Sequence, residues 1–422
     1  MKELIIGYDL CKDYCRISCF DETEEEPADF AFSEDDNPYI VQNAVCKKKG
    51  EDTWLVGSMA YQTALFGDGQ IVDKLLKIVS MGGFATFDGV QYSSEDLLYQ
   101  FLRVTLNSVL KEKKADGIAE LMFTVQELDS VVLDTIMRCV KRLNIDRRRV
   151  HVISHTESFL FFVLSQKREL WSNLAVLYDL SGDGLNYYEM EILRGMQPNV
   201  AYARRTFLEE GFSVDILEHA AGRRMADNIM TNCVERMLSK KMVSAAFLSG
   251  KGMDTCQQWG SHFLKTICQR RRVFYIENIF AKGAVLAGLE RLRDTSAYPF
   301  RIMCEGRINV EISADVYRGV NKKTLTLSHI GDNWYETKDE FDVLCDDEDR
   351  IRLKVQKLNE RYPAMIEIPL DELNVRGNKL TRFGVSLAFT REDAFTVTVR
   401  DKGFGEFFPS SDRLIRKTFT IG

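Results

Sequence analysis

The spacing of hydrophobic and polar residues changes near residue 295. Before it, short apolar runs of the kind that form buried strands alternate with stretches of helical spacing. After it, apolar and polar residues alternate with a period of two, as in Ile351, Leu353 and Val355 against Arg352 and Lys354. The pattern predicts an α/β body followed by an all-β module.

Within the α/β body, the same elements recur in the same order. Residues 144–153 (NIDRRRVHVI) match residues 267–276 (ICQRRRVFYI), and the tripeptide Tyr-Asp-Leu occurs at both 8–10 and 178–180. Recurrence of several elements in one order indicates a duplicated unit. We therefore predict three domains, at residues 1–170, 171–295 and 296–422.

Composition narrows the class of protein. The chain has 422 residues, of which 45% are hydrophobic and 28% are charged, as in ordinary globular proteins. Its longest apolar run, residues 159–164, is far shorter than the roughly 20 residues of a membrane-spanning helix. A net charge of −7 argues against general nucleic-acid binding. Charges near the N-terminus argue against a signal peptide, so we expect a cytoplasmic protein without a membrane span.

The cysteines and histidines give no clear metal motif. Cys11, Cys15 and Cys19 are evenly spaced, but the last two fit a half-buried strand in which Arg16 alternates with apolar residues. We interpret the ten cysteines as reduced, mostly core residues. His151 and His155 are separated by a strand-like run rather than a helical one, so we do not predict that they share a ligand face.

Each predicted α/β unit opens with an apolar strand that ends in an aspartate, Asp9 in the first and Asp179 in the second. An aspartate beside a tight turn can hold Mg²⁺ through its waters while turn amides bind phosphate. In the second turn Gly182 and Gly184 permit close approach of a ligand, whereas the first turn has no glycine and offers Lys12 instead. The pattern suits a nucleotide–metal cleft or two plain hairpin turns. The P-loop and GxGxxG motifs are absent from the sequence.

In the order of its motifs the chain resembles the superfamily of actin, sugar kinases and heat-shock chaperones, and it is most similar to the seventy-kilodalton heat-shock chaperones. The resemblance covers most of residues 1–295. The matching segments are two phosphate hairpins (4–20 and 174–190), two connecting helices (150–164 and 281–284), an adenosine turn (245–252), a Gly-Asp-x-Ala region (55–60) and a catalytic-lysine segment (71–77).

This resemblance implies a duplicated actin-like (ribonuclease-H-like) ATPase body with a C-terminal β-sandwich domain. It also implies ATP and Mg²⁺ as cofactors, with Asp9 and Asp179 holding the metal through water, and Lys74 or Lys77 as the catalytic lysine. The implied nucleotide contacts are Asp9, Lys12, Asp179, Ser181, Gly182, Gly184, Ser249, Gly250 and Lys251.

The same resemblance implies a hydrolytic role near the start of the first connecting helix. His155 stands where the family has a glutamate that positions the attacking water, and Glu157 lies two residues further on. The alternative is a plain helix start, with Ser154 or Thr156 as the N-cap and Glu157 in the first turn.

Several positions depart from the family pattern. Cys11 replaces a glycine, Lys12 replaces a threonine, Thr156 replaces a proline, and residues 158–162 replace a run of alanines with mostly aromatic side chains. Positioning of water in line with the γ-phosphate is where such enzymes gain rate. We therefore predict weak or absent nucleotide binding and slow hydrolysis.

Three functions remain open. The first is a heat-shock-chaperone-like protein that couples ATP and Mg²⁺ binding to a protein or peptide partner held by the β domain. The second is a degenerate pseudo-ATPase that acts as a scaffold for protein–protein interaction. The third is a sugar-kinase-like phosphotransferase, which needs a carboxylate base beside a sugar pocket. Residues 401–411, rich in glycine and phenylalanine, form either an exposed recognition loop or a turn with buried aromatics.

Overall fold

The computed structural model describes residues 2–21, 23–32, 37–181, 184–345, 349–373, 375 and 380–421. It divides the chain into two compact units, Met1–Phe300 and Arg301–Gly422. The further division of the first unit into lobes at residues 1–170 and 171–295 stays a prediction.

The first part of the first unit is built around a mixed sheet. Its elements are β1 (Glu3–Leu10), β2 (Tyr14–Phe20), β3 (Ala28–Asp29), β4 (Val41–Gln42), β5 (Val45–Lys48), β6 (Trp54–Val56), α1 (Gly57–Leu65), β7 (Gly69–Val72), α2 (Leu75–Ser80), β8 (Phe84–Phe87), β9 (Val90–Ser93), α3 (Ser94–Glu112), β10 (Gly117–Val125), α4 (Ser130–Arg142), β11 (Val150–Ser154) and α5 (His155–Ser165). The sheet has the order β11-β10-β1-β2-β3, with β4 also on β2. Strands β11, β10 and β1 run parallel to one another, and β2 and β3 follow as antiparallel neighbours.

A second sheet follows. Its elements are β12 (Leu174–Ser181), β13 (Gly184–Leu193), β14 (Val200–Leu208), α6 (Ala220–Met237), β15 (Val243–Ser249), α7 (Cys256–Trp259), α8 (Ser261–Ile267), β16 (Arg272–Tyr275) and α9 (Ile279–Arg291). Within this unit its strands run in the order β16-β15-β12-β13-β14. Again three parallel strands are followed by two antiparallel neighbours. The two sheets therefore share one strand order and one set of strand directions.

Strands β1 and β2 are buried on both faces. Tyr8 of β1 reaches α3, where its hydroxyl lies 3.0 Å from Thr105 Oγ1. On the other face Gly7 lies against α9, since a Cβ on Gly7 would be only 2.1 Å from the Ala281 carbonyl oxygen. The prediction that β2 is half-buried is wrong. Its polar Arg16 and Ser18 are buried along with its apolar residues, because α9, which is distant in sequence, packs on β2.

Helices α5 and α9 cross in close contact. Each of them packs against the sheet that it does not follow in the chain. Helix α5 follows the first sheet, yet its Phe159 and Phe162 pack against Phe247 of β15 in the second. Helix α9 follows the second sheet and packs on β1, β2 and β10 of the first. Residues 150–154 of the predicted connecting helix form strand β11, and the helix itself begins at His155.

The second unit is rich in strands. Its strands are β17 (Arg301–Met303), β18 (Val310–Arg318), β19 (Asn321–Ser328), β20 (Lys338–Cys345), β21 (Arg350–Lys357), β22 (Ala364–Pro369), β23 (Thr381–Arg391), β24 (Ala394–Asp401) and β25 (Leu414–Thr420). Two four-stranded antiparallel sheets have the orders β19-β18-β21-β22 and β20-β23-β24-β25. The predicted strand-rich C-terminal region is confirmed. Among the described residues, none of the helices combines the length and the apolar composition that a membrane span requires.

Candidate functional site

Asp9 and Asp179 occupy corresponding places in the two sheets. Each lies near the carboxyl end of a central strand, and on its parallel side each pairs with a hydroxyl residue, Thr124 for Asp9 and Ser249 for Asp179. Both aspartates are buried, with exposures of 3% and 6%. The apolar runs before them place these carboxyls at strand ends, as predicted.

The carboxyl group of Asp9 is held by a histidine from α5. His155 Nε2 lies 2.7 Å from Asp9 Oδ1, and because a carboxylate only accepts, the ring nitrogen donates. The imidazole stacks on Phe280 at a centroid distance of 4.0 Å. At the same helix start, the Glu157 amide donates to Ser154 Oγ at 3.1 Å, so Ser154 is the N-cap.

A buried arginine lies beside the two aspartates. Arg16 of β2 pairs in register with Asp9, and only 6% of it is exposed. Burial by itself lowers the pKa of the guanidinium, but surrounding acidic groups raise that pKa above its usual value; these are Tyr14, Asp9, Cys11 and Asp179. Conversely, burial and then the Asp9 charge raise the pKa of the Cys11 thiol. The guanidinium thus offsets negative charge that the strand-end carboxyls would otherwise leave buried.

A small cavity opens between these groups, and we call it the hairpin cavity. Its lining is Cys11, Lys12, Asp13, Tyr14, Gln126, His155, Asp179, Ser181 and Phe280. The cavity has a volume of about 20 Å³, which is enough room for one water molecule or one ion. A site for a ligand of nucleotide size measures about 300–1,000 Å³. The hairpin cavity is much smaller than such a site.

The second turn is packed against the predicted adenosine turn. Ser181 lines the hairpin cavity, and Gly184 has a φ of 107°. Gly182 lies outside the described residues. Gly250 has a φ of 94°, and a Cβ there would lie 2.0 Å from the Leu180 carbonyl oxygen. The glycine therefore allows the backbones of the two turns to touch.

The predicted lysines lie in different places. Lys12 is exposed and lines the hairpin cavity. Lys251, Lys74 and Lys77 are exposed and are not among the residues that line it. Lys74 precedes α2 with a left-handed backbone, at a φ of 54°. The structure brings together the aspartates, His155, Lys12 and Ser181, and it leaves these other three lysines outside the cavity.

Comparison with known families gives two matches. A model described as "Family of unknown function (DUF5716) C-terminal" matches residues 26–305, about two thirds of the chain. The chain belongs to this family. A second model, "Domain of unknown function (DUF8552)", matches residues 307–421. No curated protein matches the chain.

The DUF5716 match begins after the first hairpin, so Asp9, Cys11 and Arg16 precede the matched residues, whereas His155 and Asp179 lie within them. The second match falls inside the second compact unit. Neither description names a ligand, a reaction or a partner.

Sequence reasoning missed six residues of the site: Cys11, Asp13, Tyr14, Arg16, Gln126 and Phe280. One signal was available for Arg16, because a cation inside an otherwise apolar strand, paired in a short hairpin with Asp9, suggests an internal ion pair. Phe280 directly precedes the Ala-x-Gly-Ala segment of α9. Its stacking on His155 joins residues 125 positions apart, and no local pattern indicates it.

Proposed function

We propose that the first unit of this DUF5716 protein is an actin-like ATPase body that has become a scaffold, with little or no hydrolysis. The single observation that carries this proposal is the state of Asp9. The carboxyl that would face Mg²⁺ accepts a 2.7 Å hydrogen bond from His155 and lies beside the buried Arg16.

The actin-like assignment is supported by topology. The two sheets share strand order and directions, and Asp9 and Asp179 end corresponding strands. The crossing of α5 and α9 through Gly283, in the Ala-x-Gly-Ala segment, adds to this support.

The loss of hydrolysis is supported by the make-up of the first turn and by space. The first turn offers Cys11 and Lys12 instead of glycine amides. The hairpin cavity, at about 20 Å³, is too small for a triphosphate.

In this scaffold function, the second unit is the part of the chain that binds the partner. We propose that its two antiparallel sheets form a β-sandwich that holds a protein or peptide. The exposed Phe404 and Phe407, at 41% and 92%, lie on a loop that Asp401 orders by accepting from the amides of Gly403 and Ser411. Exposed aromatic side chains on an ordered loop are typical of recognition surfaces.

Thermal unfolding with millimolar Mg·ATP tests the proposal. A ligand at 100 times its dissociation constant stabilises the native state by about 2.7 kcal/mol, which a melting curve registers. The scaffold function predicts no shift, in the wild type or in Asp179→Ala. Asp371→Ala, an exposed aspartate of the second unit, is the matched control.

A second candidate, a heat-shock-chaperone-like nucleotide binder, is favoured by one observation. Asp9 and Asp179 stand at equivalent strand ends, and Asp179 lines the hairpin cavity. If Mg·ATP raises the melting temperature of the wild type and of Asp371→Ala but not of Asp179→Ala, this function replaces the scaffold.

A further inference from the structure

Three side chains with metal-ligating atoms meet at the mouth of the first hairpin. They are Asp9 at the end of β1, Cys11 in the turn and His155 at the start of α5, and one ligand atom from each lies within 4.8 Å of the other two. Cys11 Sγ lies 3.4 Å from Asp9 Oδ1 and His155 Nε2 lies 2.7 Å from it. We propose that these residues bind a single divalent transition-metal ion of the zinc type.

The donor set determines the kind of ion. One thiolate, one imidazole and one carboxylate suit Zn²⁺ and Co²⁺, whereas Mg²⁺ prefers oxygen ligands alone. Zinc binds these donors at about 2.0–2.3 Å, so in a tetrahedral site the donors are about 3–4 Å apart. The pair of His155 and Asp9 has to separate by several tenths of an ångström to admit the ion.

The hairpin cavity supplies the remaining position. Three protein ligands leave a tetrahedral ion one open site, which a water molecule fills. Cys11 and His155 both line the cavity, whose volume of about 20 Å³ holds one water. Asp179 lines the same cavity and can accept a hydrogen bond from that water.

The charges and protons balance on binding. Around the proposed site, the two strand-end aspartates Asp9 and Asp179 carry two negative charges against the single positive charge of Arg16, and Glu157 nearby on α5 is buried as well. Binding releases the Cys11 thiol proton to solvent. His155 gives up its Nε2 proton to coordinate, and its Nδ1, a buried atom with no hydrogen-bond partner among the described residues, takes up a proton instead. With the metal dication and the Cys11 thiolate added, the charges of the ion, the thiolate, Asp9, Asp179 and Arg16 sum to zero.

His155 is already oriented for this role. Its side chain is 4% exposed, it begins α5, and its ring is held flat against Phe280 with an interplanar angle of 8°. A ligand fixed before binding loses little conformational entropy when the metal arrives. The site involves no nucleotide, so the inference goes beyond the proposed scaffold function.

Titration of the full chain with Co²⁺ under reducing conditions tests the site, because a cobalt–thiolate bond gives a charge-transfer absorption that oxygen and nitrogen ligands do not. We expect this absorption to saturate at one equivalent and to disappear when Zn²⁺ is added. Cys11→Ser abolishes the absorption, and His155→Gln weakens binding by more than about 100-fold. Cys268→Ser, which removes an exposed thiol elsewhere, is the control and leaves the absorption unchanged.

The inference is overturned if the wild type gives no thiolate absorption, or if the absorption survives in Cys11→Ser. Circular dichroism checks that each variant is folded. Because the Cys11 turn is partly exposed, Cys11→Ser is the variant expected to fold best and carries the decision. The scaffold proposal is tested separately by Mg·ATP, and Mg²⁺ alone produces no thiolate absorption, so the two outcomes are independent.

Discussion

Gly283 of α9 lies directly against Ser158 of α5: a Cβ on Gly283 would be 2.0 Å from the Ser158 carbonyl oxygen. Substitution by alanine forces the two helices apart. We expect Gly283→Ala to lower the free energy of unfolding by about 1–3 kcal/mol or more, as overpacking of a rigid interior does. Urea denaturation measures the change.

Gly117→Ala is the matched control for Gly283→Ala. Its added Cβ meets only the Glu3 side chain, at an ordinary 3.4 Å. We expect this variant to be within about 0.5 kcal/mol of the wild type. Equal stability of the two variants would mean that α5 and α9 do not cross this closely.

Arg16→Met removes the buried cation and leaves Asp9 and Asp179 without it. We expect the free energy of unfolding to fall by about 3–5 kcal/mol, because removal of the cation leaves buried negative charge uncompensated. Chemical denaturation at neutral pH measures it. Arg148→Met is the control, since the Arg148 side chain is 89% exposed and pairs only at the surface. A loss below about 1 kcal/mol for Arg16→Met would contradict the buried charge cluster.

Phe280→Ala removes the ring on which His155 stacks. Phe280 is 5% exposed and also contacts Tyr188 at a centroid distance of 5.4 Å. We expect the free energy of unfolding to fall by about 3–5 kcal/mol, because apolar burial is lost and a cavity is left behind. Phe407→Ala, at a side chain 92% exposed, should change the thermal midpoint very little. Similar midpoints for the two variants would show that Phe280 is not part of the core.

Asp227 gives the protein a predictable response to acid. The Asp227 carboxyl accepts from the amides of His262 and Phe263, at 3.1 and 2.7 Å, at the start of α8. Burial opposes ionisation of this group, but these hydrogen bonds and His262 lower the pKa of Asp227 below its usual value. The carboxylate therefore stabilises the fold above about pH 4, and this contribution is lost as pH falls through the lowered pKa.

Asp227→Asn should cost about 1–2 kcal/mol at pH 7 and progressively less as the pH falls below about 4, because the wild type then loses the same contribution. Unfolding curves of both proteins across this range give the difference. A difference that stays constant with pH would show that the carboxylate charge has no part in it. Asp371→Asn, at an exposed position, controls for the general effect of acid.

Local sequence patterns predict the secondary-structure elements but not the contacts between them. The period-two alternation at Leu353 and Val355 correctly predicts a strand, in which those two residues are buried. The apolar runs before Asp9 and Asp179 correctly gave strand ends, because those runs carry the burial signal themselves.

The features that the sequence does not predict depend on contacts between residues far apart in the chain. Arg16 is buried because α9, more than 250 residues later, covers β2. His155 meets Asp9 across 146 positions, and a spacing of that length has no pattern to read. The resemblance alone therefore suggests a hydrolytic role for His155. Its contact with Asp9 is visible only in the folded structure.

The exchange of helices between the two sheets has a consequence for synthesis on the ribosome. A nascent chain that has emerged only to residue 170 contains the first sheet but not α9, so β1 and β2 lack the cover of one face. The same fragment exposes Phe159 and Phe162 of α5, whose partner Phe247 has not yet been made. The first unit therefore completes its core only after Arg291 has left the exit tunnel, and shorter fragments keep these apolar surfaces exposed.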